Sequence, residues 1–144
     1  MKRTIFLGAD HAGFALKEAL LPFLANLPLT IVDLSPKQIE DDDYPLIAKR
    51  VAQRVVKTPN ARGVLVCGSG VGVTIAANRI KKIRAFDAFD EETTEFAREH
   101  NDANVISLSG WRLEPKKARE LIQLFLDTKP SSLQRHKRRI KQLG

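Results

Sequence analysis

At 144 residues, 43% hydrophobic and 28% charged, the chain has the size and make-up of one compact domain, and no apolar run approaches the roughly 20 residues that span a bilayer. A single cysteine, Cys67, excludes an internal disulfide and fits a reducing cytoplasm, and the short apolar start is not expected to act as a signal peptide. The net charge of +7 is lopsided: residues 130–144 hold five cations and no acids, leaving 19 cations against 17 acids elsewhere, so the charge describes a basic tail and not a nucleic-acid-binding body.

Short β-type runs alternate with helical patterns. Residues 4–7 read as a first strand, followed by a polar turn at residues 8–13 and a helix over residues 14–26, within which Pro22 is expected to cause a kink or a break. A second strand covers residues 29–34, and residues 35–43 are acidic and irregular. Asp43 is placed to cap a helix with Pro45 near its start and Ile47, Val51 and Val55 on its apolar face. A continuous apolar strand, residues 64–67, runs into a glycine-rich turn and a helix ending near Ile80. Residues 83–86 make a fourth strand, and Asp90, with Glu91 and Glu92 behind it, caps the next helix. Residues 105–108 make a fifth strand, and the helix opening at Glu114 and Pro115 buries Ala118, Leu121, Ile122 and Phe125. In the tail, Leu133, Ile140 and Leu143 form a short apolar stripe that needs a surface to cover it.

This alternation predicts an α/β, three-layer, doubly wound Rossmann-like fold with a five-stranded, mostly parallel sheet. Residues 1–129 form the α/β domain, and residues 130–144 are its basic, helical C-terminal tail. Ligands of such sheets bind beyond the carboxyl ends of the strands. That rule selects the loops carrying Asp10 and His11, residues 67–72, and Gly110, Trp111 and Arg112.

The turn Cys67-Gly68-Ser69-Gly70-Val71-Gly72 is the leading candidate site. Three glycines between a buried strand and a helix let several backbone N–H groups approach an anion. The turn has no Lys-Ser/Thr pair of a Walker loop, lacks G-x-G-x-x-G spacing, and contains none of the arginines that a cysteine-based phosphatase loop needs. Cys67 sits where a helix N-terminus lowers a thiol's pKa, which suits a base or nucleophile, although a free cysteine is equally at home as a small buried hydrophobe. Ser69 adds a hydroxyl. His100 with Asn101 closes a helix, facing either the core or a site at the helix end. Arg135 and Arg139, with His136 beside them, are spaced to grip a phosphate monoester from one helical face.

Taken in order, these blocks resemble the ribose-5-phosphate isomerase B family, which also contains galactose-6-phosphate isomerase subunits. The blocks are residues 8–14 with Leu16-Lys17, Asp43-Tyr44-Pro45, residues 67–72, Ala76-Ala77-Asn78, Ile83-Arg84-Ala85, residues 100–105 and Arg135-His136-x-x-Arg139. The resemblance implies interconversion of ribose 5-phosphate and ribulose 5-phosphate, a pentose phosphate pathway step, through a cis-enediolate and with no metal or cofactor. It implies that Cys67 is the base, that Ser69 passes a proton between O1 and O2, and that His100 opens the furanose ring. The N–H groups of Gly68, Gly70, Val71 and Gly72 and the side chain of Asn101 would stabilise developing charge. Asp10 would bind sugar hydroxyls, His11, Arg112, Arg135 and Arg139 would hold the phosphate, and His136 is expected among the substrate-binding residues. Relatives are homodimers with active sites at the interface, so the partner would supply some of these residues. Trp111 stands where relatives have a smaller side chain. The alternatives are a six-carbon sugar phosphate (allose or galactose 6-phosphate) as substrate, or a non-enzymatic polyanion-binding module that uses the tail. A small sugar phosphate is the expected ligand, with neither nucleic acid nor membrane as a partner.

Overall fold

The computed structural model describes residues 2–144. Five strands, β1 (Arg3–Ala9), β2 (Leu29–Asp33), β3 (Arg62–Cys67), β4 (Ala85–Asp87) and β5 (Val105–Ser109), form one sheet in the order β2-β1-β3-β5-β4, with every pairing parallel. The helices are α1 (Phe14–Ala25), α2 (Tyr44–Lys57), α3 (Val71–Asn78), α4 (Glu91–Asn101), α5 (Pro115–Asp127) and α6 (Gln134–Leu143). The expected doubly wound α/β fold with a helical tail is the fold observed, and among the described residues no helix is long and apolar enough to cross a membrane.

Alternation along the central strands divides the core in two. Ile5, Leu7, Val64, Val66, Ile106 and Leu108 face α1 and α5, meeting Leu20, Leu24, Leu121 and Phe125. Phe6, Leu65 and Val105 face the other way, onto Val51 and Val55 of α2 and Val73 and Ala77 of α3. Each large side chain so buried is worth about 1.5–3 kcal/mol, which explains why the central strands read as unbroken apolar runs.

Three local expectations change. Helix α1 is not broken at Pro22 but runs on to Ala25, forgoing the single i→i−4 bond that the missing N–H would have donated. Asp43 occupies the N-cap of α2 without making a side-chain cap bond, whereas Asp90 caps α4 by accepting from the Thr93 N–H. Strand β4 begins two residues late, at Ala85. The Asn78 side chain brackets Ala85 there, donating to its carbonyl at 2.9 Å and accepting from its N–H at 2.8 Å.

Two polar ties fix the edges that matter for function. Buried Lys17 donates to Asp33 at 2.7 Å and to the Ser35 carbonyl at 2.6 Å, while the Ser35 hydroxyl accepts from the Ala9 N–H, securing the carboxyl end of β1. The chain then returns past α4, where Arg98 Nε donates to the Thr128 carbonyl and the Ser131 N–H to the Glu99 carbonyl. These bonds lay α6 against α4.

Candidate active site

Strand β3 delivers Cys67 to the carboxyl edge of the sheet, and the chain turns there into α3. Gly70, the N-cap of α3, has φ = +83°, a left-handed backbone that glycine adopts without strain, and its N–H donates to Cys67 Sγ at 3.2 Å. Neighbouring side chains also press on the loop. A Cβ on Gly68 would collide with the Trp111 ring, on Gly70 with the Asp87 carboxylate, and on Gly72 with the Tyr44 ring. The loop after β5 clamps the turn: the Gly110 N–H donates to the Cys67 carbonyl at 2.7 Å, and the Ser109 hydroxyl to the Gly68 carbonyl at 2.7 Å. The thiol therefore lies at the start of a helix, beside backbone N–H groups, in a loop braced from three sides.

Asp10 and His11 arrive beside it from the end of β1. Asp10 is buried, its carboxylate accepting from the Gly13 N–H at 2.9 Å. Burial raises its pKa, against the pull of that N–H and of His11. His11 is held twice by one oxygen: Asp42 Oδ1 accepts from its backbone N–H at 2.8 Å and lies 2.9 Å from its ring Nδ1. That hydrogen bond raises the His11 pKa, helped by the charges of Asp10, Asp42 and Asp41, and leaves Nε2 as the free ring nitrogen. Asp10, His11, Tyr44, residues 67–69, Val71, Gly72 and Trp111 line one cavity of about 380 Å³. Arg112 is exposed and does not line the cavity, and its charge partly offsets the burial that raises the pKa of Asp87.

His100, Asn101, Arg135, His136 and Arg139 are absent from this cavity. All the strands point one way and α4 runs back, so His100 and Asn101 end at the amino edge of the sheet, just before β5. Cys67 lies opposite Ser109 at the far end of β5, roughly 15 Å of strand away. At that amino edge, His100 is sandwiched in a three-ring stack, 4.9 Å from Phe96 and 4.5 Å from His136 between centroids. His136 is buried and holds α6 there; burial lowers its pKa, as do the neighbouring His100, Arg135 and Arg139. Asn101 opens instead into a different cavity of about 400 Å³, which it shares with Asn78, Arg84, Phe86 and Leu143. The expected site residues thus fall into two clusters on opposite edges of one sheet.

Four residues of the carboxyl-edge half were not among the expected site residues: Asp42, Tyr44, Asp87 and the ring of Trp111. Tyr44 lies inside a block already notable in the sequence, Asp43-Tyr44-Pro45. Asp42 is one of three consecutive aspartates, and only the fold singles out the one that meets His11.

A family model described as Ribose/Galactose Isomerase matches residues 5–143. The chain is 39% identical over 127 residues to the probable ribose-5-phosphate isomerase B of Mycoplasma pneumoniae, covering 88% of this chain and 84% of that one. It is 36% identical over 137 residues to the ribose-5-phosphate isomerase B of Mycobacterium tuberculosis, covering 94% and 85%. Among solved structures, the Trypanosoma brucei type B ribose 5-phosphate isomerase superposes with a TM-score of 0.93 at 40% identity, covering 99% of this chain and 97% of that one. The Mycoplasma genitalium ribose-5-phosphate isomerase B, solved with bound ribulose-5-phosphate, gives 0.91 at 35% identity, covering 99% and 95%.

Proposed function

The chain belongs to the ribose/galactose isomerase family, and on that footing we propose that it interconverts ribose 5-phosphate and ribulose 5-phosphate. The observation that carries this reading is the carboxyl-edge cavity. It unites a thiol at a helix N-terminus that accepts from the Gly70 N–H, a glycine-rich turn, a buried carboxylate and a histidine held between acids. Proton transfer next to a carbonyl needs a base and a fixed positive field for the oxyanion, and this loop offers both.

The substrate enters as a furanose. His100 takes the proton of the anomeric hydroxyl and returns one to the ring oxygen, which opens the ring, while Asn101 steadies the developing charge. Cys67, as thiolate, removes the proton from C2 of the open aldose and delivers it to C1 of the cis-enediolate, so the thiolate is regenerated. Ser69 moves the matching proton between O2 and O1. The N–H groups of Gly68, Gly70, Val71 and Gly72 stabilise the enediolate; preorganised donors of this kind are worth about 3–4 kcal/mol each. Asp10 binds the sugar hydroxyls, His11, Arg112, Arg135 and Arg139 hold the phosphate, and His136 backs the His100 ring.

Cys67 and His100 lie on opposite edges of one sheet, so the working unit in this reading is a two-fold dimer. An isologous pairing that sets each carboxyl-edge half against the partner's amino-edge half completes two identical sites. The exposed Val71 and Ile75 on α3, with Leu133 and Leu143 around α6, supply apolar surface for that contact. Packing of α6 against α4 argues against a free polyanion-binding arm.

The test is purified protein with ribose 5-phosphate and excess chelator, read as formation of ribulose 5-phosphate. Turnover at enzymatic rates is expected. A folded dimer with no turnover overturns the reading, and turnover only in the absence of chelator overturns its metal-independent mechanism.

A further inference from the structure

On the amino edge of the sheet, the loops leading into β3, β4 and β5 enclose a second polar cavity of about 380 Å³ that the isomerase reading does not use. Four of its lining residues are cations, Arg62, Lys82, Arg84 and Arg98, and the one acid is Asp102. That carboxylate is already shared, by Arg98 at 2.8 Å and Arg84 at 3.3 Å. Among the described residues, Arg62 and Lys82 have no carboxylate partner.

The crowding extends beneath the cavity. Arg3 donates to the Leu126 carbonyl, Arg62 to the Phe125 carbonyl and Arg98 to the Thr128 carbonyl, so three guanidiniums converge on the C-terminal end of α5. A helix end offers only about half a negative charge, and Asp102 is already shared by Arg98 and Arg84, so Arg3 and Arg62 are left underbalanced. Burial first, and then the neighbouring Arg98 and Arg3, push the Arg62 pKa down to about 9. One of the five N–H groups of Arg62 goes to a carbonyl, and among the described residues no other side chain or carbonyl takes the rest. The bonds to α5 explain where these arginines sit. Arg62 also lies over the Phe125 ring, 5.1 Å from its centroid, and none of these contacts balances the excess charge beside the cavity.

We propose that this cavity is a second anion site, fitted to the phosphate group of a small solute, with Arg62 and Lys82 as its principal ligands. Its size suits a phosphate or a small phosphate ester. Its back wall adjoins the catalytic half-site, because Arg84 Nε donates to the carbonyls of Asn101 at 2.8 Å and Asp102 at 3.1 Å. An anion that draws on Arg84 therefore acts on the segment that carries His100 and Asn101, and occupancy of the cavity is linked to substrate affinity. The existence of the site does not depend on the isomerase reading; only the linkage does.

Inorganic phosphate is the probe, titrated into the full-length protein by calorimetry and followed by 31P NMR. The wild type is expected to take up two phosphates per chain. The Arg62→Met/Lys82→Asn double variant is expected to keep one, and phosphate should still compete with ribose 5-phosphate in it. A His11→Asn/Arg112→Ala variant should retain the phosphate that the double variant loses. Lys82 has φ = +72°, a backbone that asparagine tolerates, so Lys82→Asn alone should fold normally, keep its basal turnover, and bind the second phosphate roughly tenfold more weakly. If the stoichiometry and affinity are the same in the wild type, the double variant and Lys82→Asn, the site does not exist. If a second phosphate binds but the KM for ribose 5-phosphate is the same with the cavity filled or disabled, the linkage to His100 and Asn101 is wrong.

Discussion

The imidazoles of His100 and His136 are stacked, with centroids 4.5 Å apart and planes within 5° of parallel. This contact joins the end of α4 to the tail helix and orients the residue assigned to ring opening. Replacing His136 by alanine removes a buried ring, one of the three in the stack, at a cost of about 1–3 kcal/mol in stability. Its kcat should fall on ribose 5-phosphate, which must be opened, and much less on an acyclic substrate analogue. His136→Phe keeps the stack and should recover most of that loss. Equal losses on cyclic and acyclic substrates would show that the stack does not serve ring opening.

The same residue gives a pH signature. The folded-state pKa of His136 is depressed, so the unfolded chain takes up a proton near its ordinary value of about 6.5 that the folded chain refuses. Stability from this source is full above that value and is lost as pH falls towards the depressed one. The pKa of His11 is raised, so its contribution has the opposite sign: full below about 6.5, and lost as pH rises through the raised value. Melting temperatures between pH 5 and 8 should therefore separate the two. His136→Phe should flatten the acid side, and His11→Asn the alkaline side.

Asp42 should act on substrate through His11. With Asp42→Asn, the His11 ring loses the carboxylate that favours its cationic form. KM for ribose 5-phosphate should then climb from about pH 6.5, at lower pH than in the wild type, while kcat at saturation stays within about twofold. A lower kcat with an unchanged KM profile would remove His11 from the phosphate end.

Cys67→Ala leaves the loop glycines and their N–H groups in place and takes away only the thiol. A fall in kcat on the order of a thousandfold, with KM nearly unchanged, is the expected result for a lost general base. Retention of near-normal turnover would move the proton transfer to another group.

Half-sites on opposite edges make a sharper prediction. Cys67→Ala and His100→Ala should each be inactive alone. Mixed and allowed to exchange subunits, half of the dimers become hybrids in which one of the two sites is intact, so about a quarter of wild-type activity should return. A site built within one chain would return none.

Much of this was legible in the sequence because periodicity reports burial. The central strands, the apolar faces of α2 and α5 and the glycine turn all state their surroundings in residue type alone. Strand β4 was misplaced because Ile83 and Arg84 look like strand residues, yet the pairing is fixed by Asn78, a residue on the preceding helix. Asp42 and Asp87 carry no signal in residue type, because each meets the site through a contact distant in sequence, with His11 and with Gly70, and the same holds for the packing of the Trp111 ring on Gly68. The separation of Cys67 from His100 follows from strand direction, which alternation implies, but its meaning emerges only when two copies are considered.

Trp111 is the chain's one tryptophan, and its ring lies on Gly68 in the wall of the Cys67 cavity. Its indole emission is therefore a native optical probe of the glycine turn, unmixed with signal from any other tryptophan. Sugar phosphate entering the cavity should alter that emission before any chemistry occurs, so stopped-flow fluorescence on the unlabelled enzyme can time the binding step separately from isomerisation.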